Sequence, residues 1–447
     1  MLSTAIIETC WPTIEKFTDL ESTVSLSSTC RSLHSLLIDA STHKVKVTHF
    51  QVCNLPKPDN DDIRIPRDYT TAHLRIPHYT SQALSNIHFP SLVKLQIDFP
   101  LSRRRQYTGD ASSDYVEDVH SPFLILASQL GASASNKLKS LYLNCNRLMQ
   151  YEAGGPLEST YEIFGQNLSR YCNELEELHI VNVGMVRGEN TSMYSVGLTF
   201  ALASILKSKK DKIRNFEYEV CGRPLSYRQY EMRGGSNIFT KANYDLFGAV
   251  FQSTKLERLC IKCSLGHFCD FVRAVSAMEK KATTTIRDLT IKGDISRSPA
   301  DTRFEVDRVV NDDSFIIPQV GPMLDHFSEC RSLQNLTLRI PRQCWGESQT
   351  LDALRNLLTN KPDLQALELW FAGFEDREGK VLKCMSDILP RLALDGCNMF
   401  CLNLLMSIDE MELRELNQCL EELGFEMHHR TDSNFHTISF TGSEKKC

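Results

Sequence analysis

The sequence lacks any run built to cross a bilayer. Its long charge-free stretches, Val119 to Asn136 and Asn190 to Leu206, are interrupted by polar residues and glycine, so they are too short and too polar for that purpose. It lacks a basic surplus too. Lys and Arg total 50 against 56 Asp and Glu, a net charge of −6, which argues against a general nucleic-acid binder because such proteins are normally basic. The first residues, Met1 to Cys10, lack the basic region and apolar core of an export signal, so the chain is expected in the cytosol or nucleus. In that compartment its 16 cysteines, spread along a long chain, are expected to be reduced thiols rather than a disulfide framework. The sequons at Asn167, Asn190 and Asn335 then have no acceptor role.

Chemistry-bearing motifs are missing as well. The chain has no G-x-S-x-G, no H-E-x-x-H, no Walker loop and no kinase set. Cys260-Ile-Lys-Cys263 has C-x-x-C spacing, but no second Cys or His pair follows at a zinc-site distance. His428 and His429 are adjacent, and adjacent residues on a strand point to opposite faces, which makes them a poor ligand pair. The expectation is a protein that is not an enzyme and carries no cofactor or metal. The Arg103-Arg104-Arg105 triplet reads as part of a solvated loop.

What is present is a repeat. Leu138-Lys-Ser-Leu141-Tyr-Leu143-Asn-Cys-Asn146-Arg-Leu148 fits L-x-x-L-x-L-x-x-N-x-L at every defined position. Looser copies of the apolar triplet start at Leu92, Leu175, Ile213, Leu256, Ile286, Leu333 and Leu364, and a degenerate one is read as Met399, Leu402 and Leu404. Successive starts lie 30 to 47 residues apart. The usual repeat is shorter, roughly 20 to 29 residues. Amphipathic helices account for the extra length: 122–133, 160–171, 193–206, 244–252, 268–278, 323–330, 351–358 and 381–392. A strand followed by a helix, many times over, predicts parallel pairing, because parallel strands need such a crossover. An ordinary doubly wound sheet with leucine-rich strands is the alternative. It would usually show a Gly-rich phosphate turn after its first strand, and none is found.

The pattern resembles the leucine-rich-repeat family. That resemblance implies an α/β solenoid, a curved and mostly parallel sheet with outer helices, spanning residues 42–408. Insertions near 55–69, 100–120 and 296–314 break its rhythm. Residues 409–447 are expected to close the array with a helix over 409–423, ended by Gly424, and two strands at 425–428 and 435–440.

Residues 1–41 differ. Ile6, Ile7, Ile14, Phe17, Leu20, Val24, Leu26, Cys30, Leu33 and Leu37 are apolar at helical spacing, with breaks near Pro12 and Asp19, which suggests three small helices. The stretch from Leu20 to Leu33, with Thr29-Cys30-Arg31 followed by an apolar residue, resembles the second half of an F-box. The family's opening Leu-Pro falls on Ile6 and Ile7 here, with the proline later, at Pro12. The resemblance implies docking on the Skp-family adaptor of a cullin-RING ubiquitin ligase through Ile6, Ile7, Ile14, Leu20, Leu26, Cys30 and Leu33. The alternative is that these helices cap the first repeat and the chain is a scaffold without a ubiquitin role.

Strand geometry places the target surface. If Leu141 and Leu143 point inward, Tyr142 and Asn144 point to the concave face. The same alternation selects His179, Glu217, Glu219, Lys262, Lys292, Arg339, Glu368 and Trp370. Cys260 is expected on this outward side too. The mixed charge of the set suits an as yet unidentified target protein rather than nucleic acid or a membrane. Trp370 is either a binding hot spot or a residue packed on Phe371 or Phe374.

Overall fold

The computed structural model describes residues 49–52, 71–75, 93–98, 137–144, 157–183, 196–220, 236–263, 265–278, 285–293, 318–341, 344, 347–359, 361, 363–371, 380–404, 410–432 and 435–442. The F-box-like residues Ile6, Ile7, Ile14, Leu20, Leu26, Cys30 and Leu33, the expected helix 122–133 and all three expected insertions lie outside these residues. The protein is α/β with open, mostly parallel pairing, in two compact units that divide between Val183 and Leu202.

The first unit contains β1 (His49–Val52), β2 (Thr71–Arg75), β3 (Lys94–Asp98), β4 (Ser140–Asn144) and β5 (Glu177–Val183), each parallel to the one before. β1 and β2 precede the first triplet recognised in the sequence. Helix α1 (Leu157–Tyr171) connects β4 to β5. Leu141 and Leu143 on β4 are completely buried, as are Leu178 and Ile180 on β5. Helix α2 (Val196–Ser208) carries the boundary, with residues to Ala201 in this unit. Gly165 of α1 lies so close to Ala201 that a Cβ there would sit 2.9 Å from the Ala201 Cα, so the helices meet where only a hydrogen fits.

The second unit contains β6 (Asn215–Val220), β7 (Arg258–Cys263), β8 (Asp288–Gly293), β9 (Asn335–Arg339), β10 (Ala366–Phe371) and β11 (Met399–Leu404), all parallel in that order. The helices between them are α3 (Ser236–Phe251), α4 (Leu265–Ser276), α5 (Gly321–Phe327), α6 (Glu347–Thr359) and α7 (Lys380–Leu394). Phe268, Phe271, Val272 and Val275 of α4 are buried at i, i+3, i+4 and i+7, one stripe of a helix lying on a core. The strand side of that core is Phe216, Leu259, Leu289, Leu336, Leu367 and Phe400, each at most 1% exposed. At the end of β8 the layers touch: a Cβ on Gly293 would meet Phe268 at 2.7 Å and Pro341 at 2.6 Å.

One backbone device recurs at strand entries. Each time, two consecutive amides of a repeat donate to one carbonyl of the preceding repeat. Glu176 and Glu177 bond Lys139 O, Glu257 and Arg258 bond Arg214 O, Arg287 and Asp288 bond Glu257 O, and Gln334 and Asn335 bond Arg287 O. Bonding repeated at equivalent positions is what stacked structural repeats produce.

The second unit is closed by α8 (Glu410–Glu422), β12 (Phe425–Asp432) and β13 (Phe435–Gly442). β13 lies antiparallel between β11 and β12. Leu413, Leu416 and Leu420 form the buried stripe of α8, and Phe425 stacks on Phe400 with ring centres 5.2 Å apart. Gly424 follows the helix at φ 86°, a left-handed residue where a side chain would be strained.

The degenerate last triplet needs a correction. Leu402 pairs with Leu369, and Phe400 with Leu367, so Cys397, Phe400 and Leu402 carry the repeat frame. Met399 instead pairs with Ala366 and is 42% exposed. The frame expected from the sequence was displaced by two residues at Leu402. A period of two puts Phe400 and Leu402 on the same face, but it leaves Met399 on the other.

Candidate functional site

Alternation along each strand leaves a second set of side chains opposite the buried one. On β4 the pattern is Leu141 and Leu143 buried, Tyr142 and Asn144 partly exposed. Tyr142 pairs with His179 on β5, and their rings lie 6.1 Å apart. These three expected site residues belong to the first unit. The other seven belong to the second.

In the second unit, register sorts the outer side chains into rows across the strands. One row runs Glu217, Cys260, Thr290, Thr337, Glu368 and Cys401. The next runs Glu219, Lys262, Lys292, Arg339, Trp370 and Asn403. The seven expected residues therefore occupy two adjacent rows of one face. Thr290, Thr337, Cys401 and Asn403 stand among them. The same alternation contains all four, because a frame displaced by two on β11 keeps Cys401 and Asn403 on the outward side.

The charges pair across strands. Lys262 Nζ donates to Glu217 Oε1 at 2.8 Å and lies 3.5 Å from Glu219 Oε2. Burial by itself would lower the Lys262 pKa, but the hydrogen bond to Glu217 and the negative charges around it raise it instead. Lys292 Nζ is 3.9 Å from Glu368 Oε1. Glu368 also accepts from Thr337 Oγ1 at 3.2 Å and from Trp370 Nε1. The Arg339 guanidinium lies 5.3 Å from the centre of the Trp370 ring, a cation–π contact.

Trp370 is thus held on its own face by Arg339 and Glu368, while Phe371 is fully buried on the opposite one. Phe374 lies outside the described residues.

Cys260 departs from the expectation of an exposed residue. It shares the row of Glu217 and Thr290, yet it is only 6% exposed, with its Sγ 3.6 Å from Glu217 Oε1. Burial pushes its thiol pKa up to about 12, so it is an unreactive thiol at neutral pH. Cys263 belongs to the other face, pairing with Gly293, so the two cysteines of the C-x-x-C spacing are not brought together. Among the described residues no group of His, Cys, Asp and Glu could hold a metal ion, and no helix is long and apolar enough to cross a membrane. His428 and His429 are both exposed on β12.

Both rows belong to the outer face of the second unit. That face combines cations, carboxylates, hydroxyls and an aromatic ring on a hydrogen-bonded sheet. Compared with known proteins, the chain matches no family model and no curated sequence.

Proposed function

We propose that this chain is a leucine-rich-repeat recognition protein, the target-binding subunit of a Skp–cullin–F-box ubiquitin ligase. It acts in the cytosol or nucleus and performs no catalysis of its own. The observation that carries the binding half is the pair of adjacent rows on β6 to β10. Glu217, Glu219, Lys262, Lys292, Arg339, Glu368 and Trp370 occupy one face, held by interstrand contacts while the opposite face is sealed by the core. Pre-organised side chains of this kind lose little freedom when a partner docks. Tyr142, Asn144 and His179 offer the same kind of face in the first unit.

The ligase half rests on residues 1–41, where the run to Thr29-Cys30-Arg31 and Leu33 resembles an F-box. Its test is capture of the full chain by an immobilised Skp-family adaptor. The intact protein is expected to bind, and a chain without residues 1–41 is expected not to bind while keeping its thermal unfolding transition. Binding that survives the deletion would sink the F-box assignment. Failure of the intact chain to bind would leave a repeat scaffold with no ubiquitin role.

A further inference from the structure

The row on the outer face of the second unit has a feature that stability does not explain. Lys262, Lys292 and Arg339 occupy consecutive register positions on β7, β8 and β9. Neighbouring strands lie about 4.8 Å apart, and like charges directly opposite one another destabilise a sheet. The three cations are not compensated equally. Lys262 has two carboxylates, Glu217 and Glu219, within ion-pair distance. Lys292 stands toward Glu368, 3.9 Å away, which already accepts from Thr337 and Trp370. The contact of Arg339 with the Trp370 ring orders the guanidinium and adds no full negative charge to the row.

We infer that the corner formed by Lys292, Arg339 and Trp370 receives a side-chain carboxylate from an acidic segment of the bound protein. This rests on the reading of the face as a protein-binding surface and specifies its partner. The chemistry favours a monoanion. The cost of taking an ion out of water grows with the square of its charge, its attraction to Lys292 and Arg339 only linearly, and Glu217, Glu219 and Glu368 stand on the same face, so a carboxylate is favoured over a dianionic phosphate. The guanidinium fork matches the planar carboxylate, and Thr290 places a hydroxyl in the adjacent row, between Cys260 and Thr337. A single pair at a partly exposed site binds weakly by itself. A polypeptide lying across the rows adds the further contacts that a free carboxylate cannot make.

The test uses the full chain labelled with 15N at its three tryptophans, Trp11, Trp345 and Trp370. The Trp370 indole signal is assigned with Trp370→Phe. The probe is a blocked glutamate octapeptide, with a lysine octapeptide and a phosphoserine-containing peptide alongside. The glutamate peptide is expected to shift the Trp370 signal saturably and the lysine peptide to leave it unmoved. The affinity should fall as salt rises. Lys292→Gln with Arg339→Gln should weaken binding by roughly tenfold at an unchanged melting temperature. Binding that survives both substitutions overturns the inference, and so does a response to the phosphoserine peptide alone. Because adaptor capture depends on residues 1–41, the two readings fail separately. An intact chain that binds the adaptor but not the glutamate peptide loses only this corner, and one that binds the peptide but not the adaptor loses only the ligase role.

Discussion

On β8, Leu289 and Ile291 are sealed against the core, while Thr290 and Lys292, one residue away, are partly exposed on the other face. The neighbouring strands repeat the contrast. The inner row is nearly uniform, Phe216, Leu259, Leu289, Leu336, Leu367 and Phe400, whereas the outer row changes from Glu219 through Lys262, Lys292 and Arg339 to Trp370. Uniform composition suits a layer whose task is to remove apolar area from water at each repeat. Varied composition suits a layer free of that task. Stability should therefore reside on one face of these strands and specificity on the other.

The sharpest way to break this contrast is to change the charge on each face of one strand in turn. Leu289→Asp buries a carboxylate with no partner and should cost on the order of 4 kcal/mol or more, or prevent folding altogether. Lys292→Ala on the same strand should change stability by less than about 0.5 kcal/mol. Urea unfolding of the two variants checks this, and similar midpoints would show that the faces are not divided as described.

The inner side also has polar exceptions, and these sharpen the comparison. His267 of α4 is 8% exposed, with its Nδ1 3.2 Å from Asn243 Nδ2, and Asn243 donates to Asp270 as well, at 3.0 Å. Burial lowers the His267 pKa to about 4, so the folded protein holds it neutral. The unfolded chain takes up a proton near pH 6.5, so this contribution to stability is complete above that value. It is lost as the pH falls toward 4, by roughly 3 kcal/mol in all. Asp270, whose pKa burial raises, acts in the opposite sense. The stability of His267→Gln, compared with the parent between pH 7 and pH 4, is expected to lose this slope. Parallel curves for the two proteins would contradict it.

A smaller effect is expected at Lys361, 1% exposed beyond α6. Its Nζ donates to the carbonyls of Phe327 at 3.3 Å and of Ser328 and Cys330 at 2.7 Å, just where α5 ends. A cation there donates to carbonyls at the end of the helix, of which Phe327 O also accepts from the Cys330 amide, and faces the negative end of the helix dipole. Lys361→Met keeps most of the volume and removes the donors, for an expected loss of roughly 1–3 kcal/mol. A melting temperature equal to the parent's would show that the three bonds contribute nothing.

Much of this was legible beforehand. Most apolar triplets named in the sequence fall on strands, because a period of two is a local property of extended backbone. Helix cores were legible from their 3.6-residue stripes, although α3 begins at Ser236, eight residues before the Tyr244 expected. The buried stripe of α3 in fact includes Ala242, one turn before Leu246. Met399 was misassigned because L-x-x-L-x-L also matches a frame displaced by two, and only pairing to β10 separates the frames. Cys260 was placed on the correct face but not recognised as covered, since its neighbour there, Glu217, comes from the preceding strand β6 and is itself held by Lys262.

The sequence by itself determined which residues alternate and which face of each strand is apolar, since both follow from backbone geometry over a few residues. Only the tertiary structure decided which outer side chains meet. Lys262 finds Glu217, and Arg339 lies over Trp370, because hydrogen-bonded register aligns strands whose starts are 30 to 47 residues apart. Those contacts depend on how side chains from separate repeats settle beside one another, which no local spacing encodes.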